Sequence, residues 1–161
     1  MQTVTILSVG RLKDRFYEDA AAEYLKRLSS YAKAQVVEIK AVDLYSDAPS
    51  DAEIAAALKK EGEELLKRIP EGAEVVALCI EGKLWSSEDM AACLTRSANA
   101  GKSHVVFIIG GSYGLSDEVK RRADQRVSMS RMTFPHRLAR VMLLEQIYRG
   151  YKIAKNEKYH K

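Results

Sequence analysis

Five short strand-like runs, the first four rich in β-branched residues and each followed by a stretch that reads as helix, constrain this 161-residue chain more than any other feature. Thr3 to Val9 (TVTILSV), Gln35 to Val42 (QVVEIKAV), Glu74 to Ile80 (EVVALCI) and His104 to Ile109 (HVVFII) read as strands, and Arg126 to Ser130 as a brief fifth. Between Lys13 and Leu28, apolar residues Phe16, Ala20, Tyr24 and Leu28 recur four apart, on one face of a helix. Ser50-Asp51-Ala52-Glu53 opens a second helix with a capping-box pattern, which Pro70 and Gly72 stop after about Arg68. Ser86-Ser87-Glu88-Asp89 opens a third that ends near Gly101, Ser116-Asp117-Glu118 caps a short fourth, and Arg137 to about Ala154 forms a long last one. Strand and helix alternate without repeat or linker. This predicts one α/β domain over residues 1–161, with a mainly parallel sheet flanked by helices and joined by right-handed crossovers. Ligands of such sheets bind beyond the carboxyl ends of the strands, so the loops after Ile80, Ile109 and Met129 are the ones to watch.

Composition narrows the class. Hydrophobic residues at 47% and charged residues at 30% suit a chain that buries one core. Cys79 and Cys93 are too few for a disulfide framework and lack ligand spacing. His104, His136 and His160 are scattered, so no metal site is expected. No segment approaches the ~18 apolar residues of a membrane span, and the amino terminus carries no secretory pattern. A reduced, cytoplasmic protein is the expectation. The net charge of +4 conceals a division: residues 120–161 carry 12 Lys and Arg against 3 Asp and Glu. A basic surface of that kind meets nucleic acid or an anionic membrane.

Two motifs resemble nucleotide sites and fail. Gly101-Lys102-Ser103 ends like a phosphate loop, but Arg96 stands where the pattern needs glycine, and a strand follows rather than a helix. Gly110-Gly111-Ser112-Tyr113-Gly114 lies between a strand and a helix, yet lacks the dinucleotide spacing and its acidic partner. What it does offer is backbone that a ligand can approach without a Cβ in the way. The last helix is apolar well around its circumference, through Leu138, Val141, Met142, Leu143, Leu144, Ile147, Tyr148 and Tyr151. One sheet covers about half of such a helix, so a second copy of the chain is expected to cover the rest.

The runs IGGSYGLSDEV and SMSRMTFPHRLARVMLLEQIYRGYKI, the ending YHK, the opening ILSVGRLKD and the turn LCIEGK together resemble the RlmH family. These are methyltransferases of the bacterial large ribosomal subunit within the SPOUT superfamily, and the resemblance spans nearly the whole chain. It implies a SPOUT-type α/β knot, with a deep trefoil knot in the C-terminal part. It implies a homodimer that binds S-adenosylmethionine in the knot, with no metal, and methylates N3 of a pseudouridine in 23S rRNA of the assembled 70S ribosome. By the same resemblance the cofactor contacts fall on Leu78, Gly110, Met129, Ser130, Arg131, Met132, Thr133 and Phe134. The tail with Tyr159 and His160 is expected to close over an active site, its own or that of the neighbouring subunit.

The chemistry sets its own demands. Methyl transfer is an in-line displacement at a sulfonium carbon, in which positioning carries much of the catalysis. The imide N3 of pseudouridine must lose a proton or have its anion stabilised. His136 and His160 are the candidate bases. Arg140, four residues after His136 on the same helix face, is the candidate to stabilise the anion or hold a phosphate. Two other readings share the residues: a SPOUT methyltransferase acting on tRNA or another rRNA position, and a non-catalytic ribosome-binding factor.

Overall fold

The computed structural model describes residues 1–161. Ten elements follow in strict alternation: β1 Thr3–Val9, α1 Arg15–Leu28, β2 Lys33–Ile39, α2 Asp51–Lys67, β3 Glu74–Leu84, α3 Ser87–Asn99, β4 His104–Ile109, α4 Asp117–Arg122, β5 Gln125–Ser128 and α5 His136–Ala154. All strand pairs are parallel, in the order β2-β1-β4-β3-β5. Serines start three of the helices as expected. Ser50 Oγ accepts from Glu53 N while Glu53 accepts from Ser50 N, Ser86 and Asp89 do the same, and Ser116 Oγ accepts from Val119 N.

The alternation of side chains along each strand divides the interior in two. Val4, Ile6, Val76, Phe107 and Val127 face a core closed by Leu28 of α1, Leu94 of α3 and Leu143, Leu144 and Ile147 of α5. Leu7, Val75, Ala77, Val106 and Ile108 face a smaller core closed by Leu65 of α2 and Val119 of α4. The breadth of apolar surface on α5 is explained here. It packs against both α1 and α3, and every residue from 136 to 153 is at least half-buried within the chain. The second cover expected from another copy is supplied by two helices of the same copy.

Element boundaries shift where pairing partners decide them. β2 runs from Lys33 to Ile39 rather than from Gln35 to Val42, because its ladder follows β1 residue by residue from Thr3↔Lys33 to Val9↔Ile39 and has no partner beyond. β3 continues past Ile80 to Leu84 because it aligns with β5 twice: Leu78 and Lys83 both stand opposite Val127. Residues 79–82 form the irregularity between those two alignments. Gly82 is what permits it, since a Cβ there would stand 2.6 Å from backbone atoms of Val127. This bulge projects at the carboxyl edge of the sheet.

Candidate active site

At that edge, three loops converge on one cleft of ≈ 720 Å³, within the range of small-molecule sites. They are the bulge after Leu78, the glycine segment after Ile109 and the crossing from β5 to α5. A small sequence feature shapes each loop. Gly110 packs directly on the Gly114 carbonyl, where a Cβ would collide, and Gly111 and Gly114 form an isolated antiparallel bridge. The segment is therefore a tight flap, closed by Gly114 N donating to the Gly111 carbonyl, whose backbone lines the cleft. In the third loop, Ser130 Oγ accepts from Met132 N at 3.0 Å and Ser128 Oγ donates to the Ser130 carbonyl at 2.9 Å, which fixes its first turn.

Of the eight residues read as cofactor contacts, Leu78, Gly110, Met129, Ser130, Met132, Thr133 and Phe134 line this cleft. Arg131 does not; it lies exposed beside it. Sequence reasoning missed Cys79, Glu81, Tyr113 and Lys120, which also line the wall. Glu81 and Lys120 form an ion pair, Nζ to Oε1 at 2.5 Å, across the cleft side of the bulge. Lys120 holds the Glu81 carboxyl below the usual carboxylate range. Burial and the nearby Glu81 push the Cys79 thiol up, so it stays protonated.

The four residues read as catalytic do not meet in one chain. His136, the first residue of α5, lines the cleft. Burial lowers its pKa from the ordinary 6.5, and the cations Arg137 and Arg140 push the same way. Arg140 shares its helix face but not its destination. Only 2% exposed, it donates to Glu38 Oε2 at 2.5 Å and to the Gly10 carbonyl at 2.9 Å. Glu38 Oε2 also accepts from Leu12 N, so the guanidinium is a clamp between α5 and the ends of β1 and β2. Arg137 makes a second tie, to Asp14 at 3.4 Å.

Tyr159 and His160 lie on the opposite half of α5. Tyr159 donates to Glu145 at 3.1 Å and stands edge-on to Tyr148, and Arg149 covers its ring at 4.7 Å. His160 Nδ1 accepts from Arg149 at 3.2 Å while Nε2 donates to Glu88 at 3.0 Å, a network that assigns the neutral Nε2–H tautomer. Arg149 is thirteen residues from His136, or about 20 Å along the helix. The tail and the cleft of one chain are thus separate.

The family model described as predicted SPOUT methyltransferase matches residues 1–160. The chain belongs to the SPOUT methyltransferase family. Two curated relatives, each named ribosomal RNA large subunit methyltransferase H, extend that match. The protein of Pelotomaculum thermopropionicum is 51% identical over 157 residues, covering 98% of each chain. That of Listeria monocytogenes serotype 4b is 47% identical over 161 residues, covering 98% of this chain and 99% of its own. Among solved structures, a methylase family protein of Haemophilus influenzae superposes with a TM-score of 0.55 at 12% identity, covering 99% of this chain and 71% of that one. A methylase family protein of Neisseria gonorrhoeae gives 0.55 at 16%, with 91% and 82% covered. At those identities the likeness establishes the SPOUT fold alone.

The site can be tested against the cosubstrate a SPOUT methyltransferase uses. The apolar Leu78, Met129, Met132 and Phe134 suit a flat purine, the glycine flap offers backbone without Cβ atoms in the way, and Glu81 and Lys120 present one charge of each sign. These residues fit S-adenosylmethionine. No group of three or more His, Cys, Asp or Glu is placed to hold a metal ion.

Proposed function

We propose that this protein transfers the methyl group of S-adenosylmethionine to N3 of a pseudouridine in 23S rRNA, acting as a homodimer on the assembled 70S ribosome in the cytoplasm. The observation that carries the cofactor reading is the convergence of the three strand-end loops on one cleft lined by His136. The rRNA target is supported by the names of relatives about half identical over nearly their whole length.

Bound S-adenosylmethionine would supply a methyl group on a positively charged sulfur. The chain's own residues do the rest. The β5–α5 loop and the glycine flap orient the donor, which is most of what an in-line transfer requires. His136, kept neutral by burial and by Arg137 and Arg140, takes the N3 proton. Arg140 acts at one remove, because its guanidinium is committed to Glu38 and Gly10.

The basic segment is less free than its composition implies. Lys120, Arg121, Arg122, Arg137, Arg140, Arg149 and Lys152 all have acidic partners. Arg126 and Arg131, next to the cleft, and Lys155, Lys158 and Lys161 in the tail have none. These suit rRNA phosphates. Tyr113 and Met132, 51% and 75% exposed on the rim, suit an unstacked base.

Dimerisation is supported by the separation of tail and cleft. No tail residue lines its own cleft. The tail is anchored on Glu145, nine residues or about 14 Å along α5 from His136, so the cleft it would complete is that of a second copy. Mixing a His136→Ala chain with a chain truncated before Tyr159 is then expected to restore partial activity, since the mixed dimer holds one composite site.

The test of the whole reading uses purified 70S ribosomes lacking this modification, labelled S-adenosylmethionine and the protein. Nuclease mapping and mass spectrometry are expected to place the label on N3 of one large-subunit pseudouridine. Transfer to bulk tRNA instead would keep the fold and overturn the substrate. Tight ribosome binding without transfer would leave a binding factor.

A further inference from the structure

The Glu81–Lys120 pair has no structural task that accounts for its position. Glu81 is 58% exposed and Lys120 25%, and ion pairs so placed hold a fold only weakly. Each element is secured without it. The bulge is fixed by the Val127 alignments and the packing of Gly82, and α4 by the burial of Val119 and the Ser116 cap. Yet two elements 39 residues apart in sequence bring one carboxylate and one ammonium together on the wall of the cleft, and no other Asp, Glu, Lys or Arg lines it. The remaining wall is apolar side chain, hydroxyl and glycine backbone, apart from Cys79 and His136.

Adjacent charges of opposite sign match a ligand that carries the same two in reverse, and the α-ammonium and α-carboxylate of an amino acid are such a pair. S-adenosylmethionine ends in that group, at the far end of the molecule from its adenine. We propose that Glu81 and Lys120 form the subsite for its aminocarboxypropyl end: the ion pair opens, Lys120 Nζ donates to the ligand carboxylate, and the Glu81 carboxylate accepts from the ligand ammonium. This rests on the cleft being the cofactor site. The pair seen here is then a placeholder, in which Lys120 already holds the Glu81 carboxylate in its charged form. The subsite sorts ligands by one chemical feature. S-adenosylhomocysteine keeps the zwitterion and is bound through it, whereas 5′-methylthioadenosine lacks it and gains nothing from the pair.

The experiment is isothermal titration of the full chain and of Lys120→Met and Glu81→Gln with these three compounds, alongside thermal unfolding to confirm an intact fold. Both variants are expected to bind S-adenosylmethionine and S-adenosylhomocysteine on the order of tenfold more weakly, with 5′-methylthioadenosine affinity unchanged. Unchanged affinity for all three, or an equal loss for all three, would overturn the subsite; the second pattern would mean the pair merely shapes the bulge. If the unaltered chain binds none of the compounds, the cofactor reading fails, and the subsite with it. If it binds 5′-methylthioadenosine as tightly as S-adenosylmethionine, only the subsite fails.

Discussion

The two ends of α5 are built on opposite principles. At its carboxyl end Arg149 and Lys152 lie where the helix dipole favours cations, against Tyr148, Tyr159 and Tyr31 and with Glu145 and Glu157 as partners. Local chemistry and global fold agree there. At the amino end the helix starts on Pro135 without a side-chain cap, has no acidic residue in its first turn, and places His136, Arg137 and Arg140 against the dipole. That start is held from outside, by Glu38, Asp14 and the Gly10 carbonyl. The difference teaches what the cleft costs: the end that departs from local preference is the end that lines it.

Removing the imidazole should have the largest effect. His136→Ala is expected to lower the single-turnover methylation rate by about 10²–10⁴-fold, with S-adenosylmethionine affinity and thermal stability nearly unchanged. An equally large loss in a tail variant such as His160→Ala, in a homodimer of that variant, would show that both ends serve one composite site.

The clamp comes next. Glu38→Gln leaves the buried Arg140 charge without its carboxylate, and urea denaturation should report a loss of about 2–3 kcal/mol, tempered because Glu38 is itself a third exposed. Cofactor binding should weaken in the same variant, because the β5–α5 loop runs directly into the turn that Arg140 anchors. An unaltered midpoint would mean that the amino end does not depend on its external ties.

A pH profile sharpens the contrast further. A histidine whose folded pKa lies below its ordinary 6.5 is neutral, and competent as a base, to lower pH than a free imidazole. The acidic limb of kcat/KM should therefore have its midpoint below 6.5, and Arg137→Gln should move it upward. The stability sign is the same: the unfolded chain binds the proton first, so the contribution of His136 is present above 6.5 and is lost as pH falls through the lower folded value. Smallest of all, Tyr159→Phe removes one hydrogen bond at the carboxyl end and should cost under about 1 kcal/mol.

Much of this architecture is legible in the chain. β-branched runs mark the first four strands and the serine caps mark three helix starts, because both depend on neighbours in sequence. The three loops of the cleft are legible too, since a parallel sheet directs its carboxyl ends to one edge. What escapes is whatever joins distant residues. Helical spacing correctly puts His136 and Arg140 on one face, but cannot say that the longer side chain turns to a glutamate 102 positions away. Glu81 and Lys120 carry no local pattern at all. The apolar girth of α5 points correctly to two covers, and only the packing of α1 and α3 shows that both are in the same chain.

The double alignment of β3 on Val127 also has a consequence for synthesis. A nascent chain that has emerged only as far as Ala123 holds four of the five strands and four of the five helices, but neither the strand on which the bulge closes nor the loop that completes the cleft. The sheet finishes with its last contribution, inserted beside a partner made some fifty residues earlier, the kind of late, non-local pairing that slows folding. Ligand competence therefore arrives all at once, with the last strand and helix. A copy that stops before β5 has the bulk of the domain and no finished cleft with which to compete for a ligand.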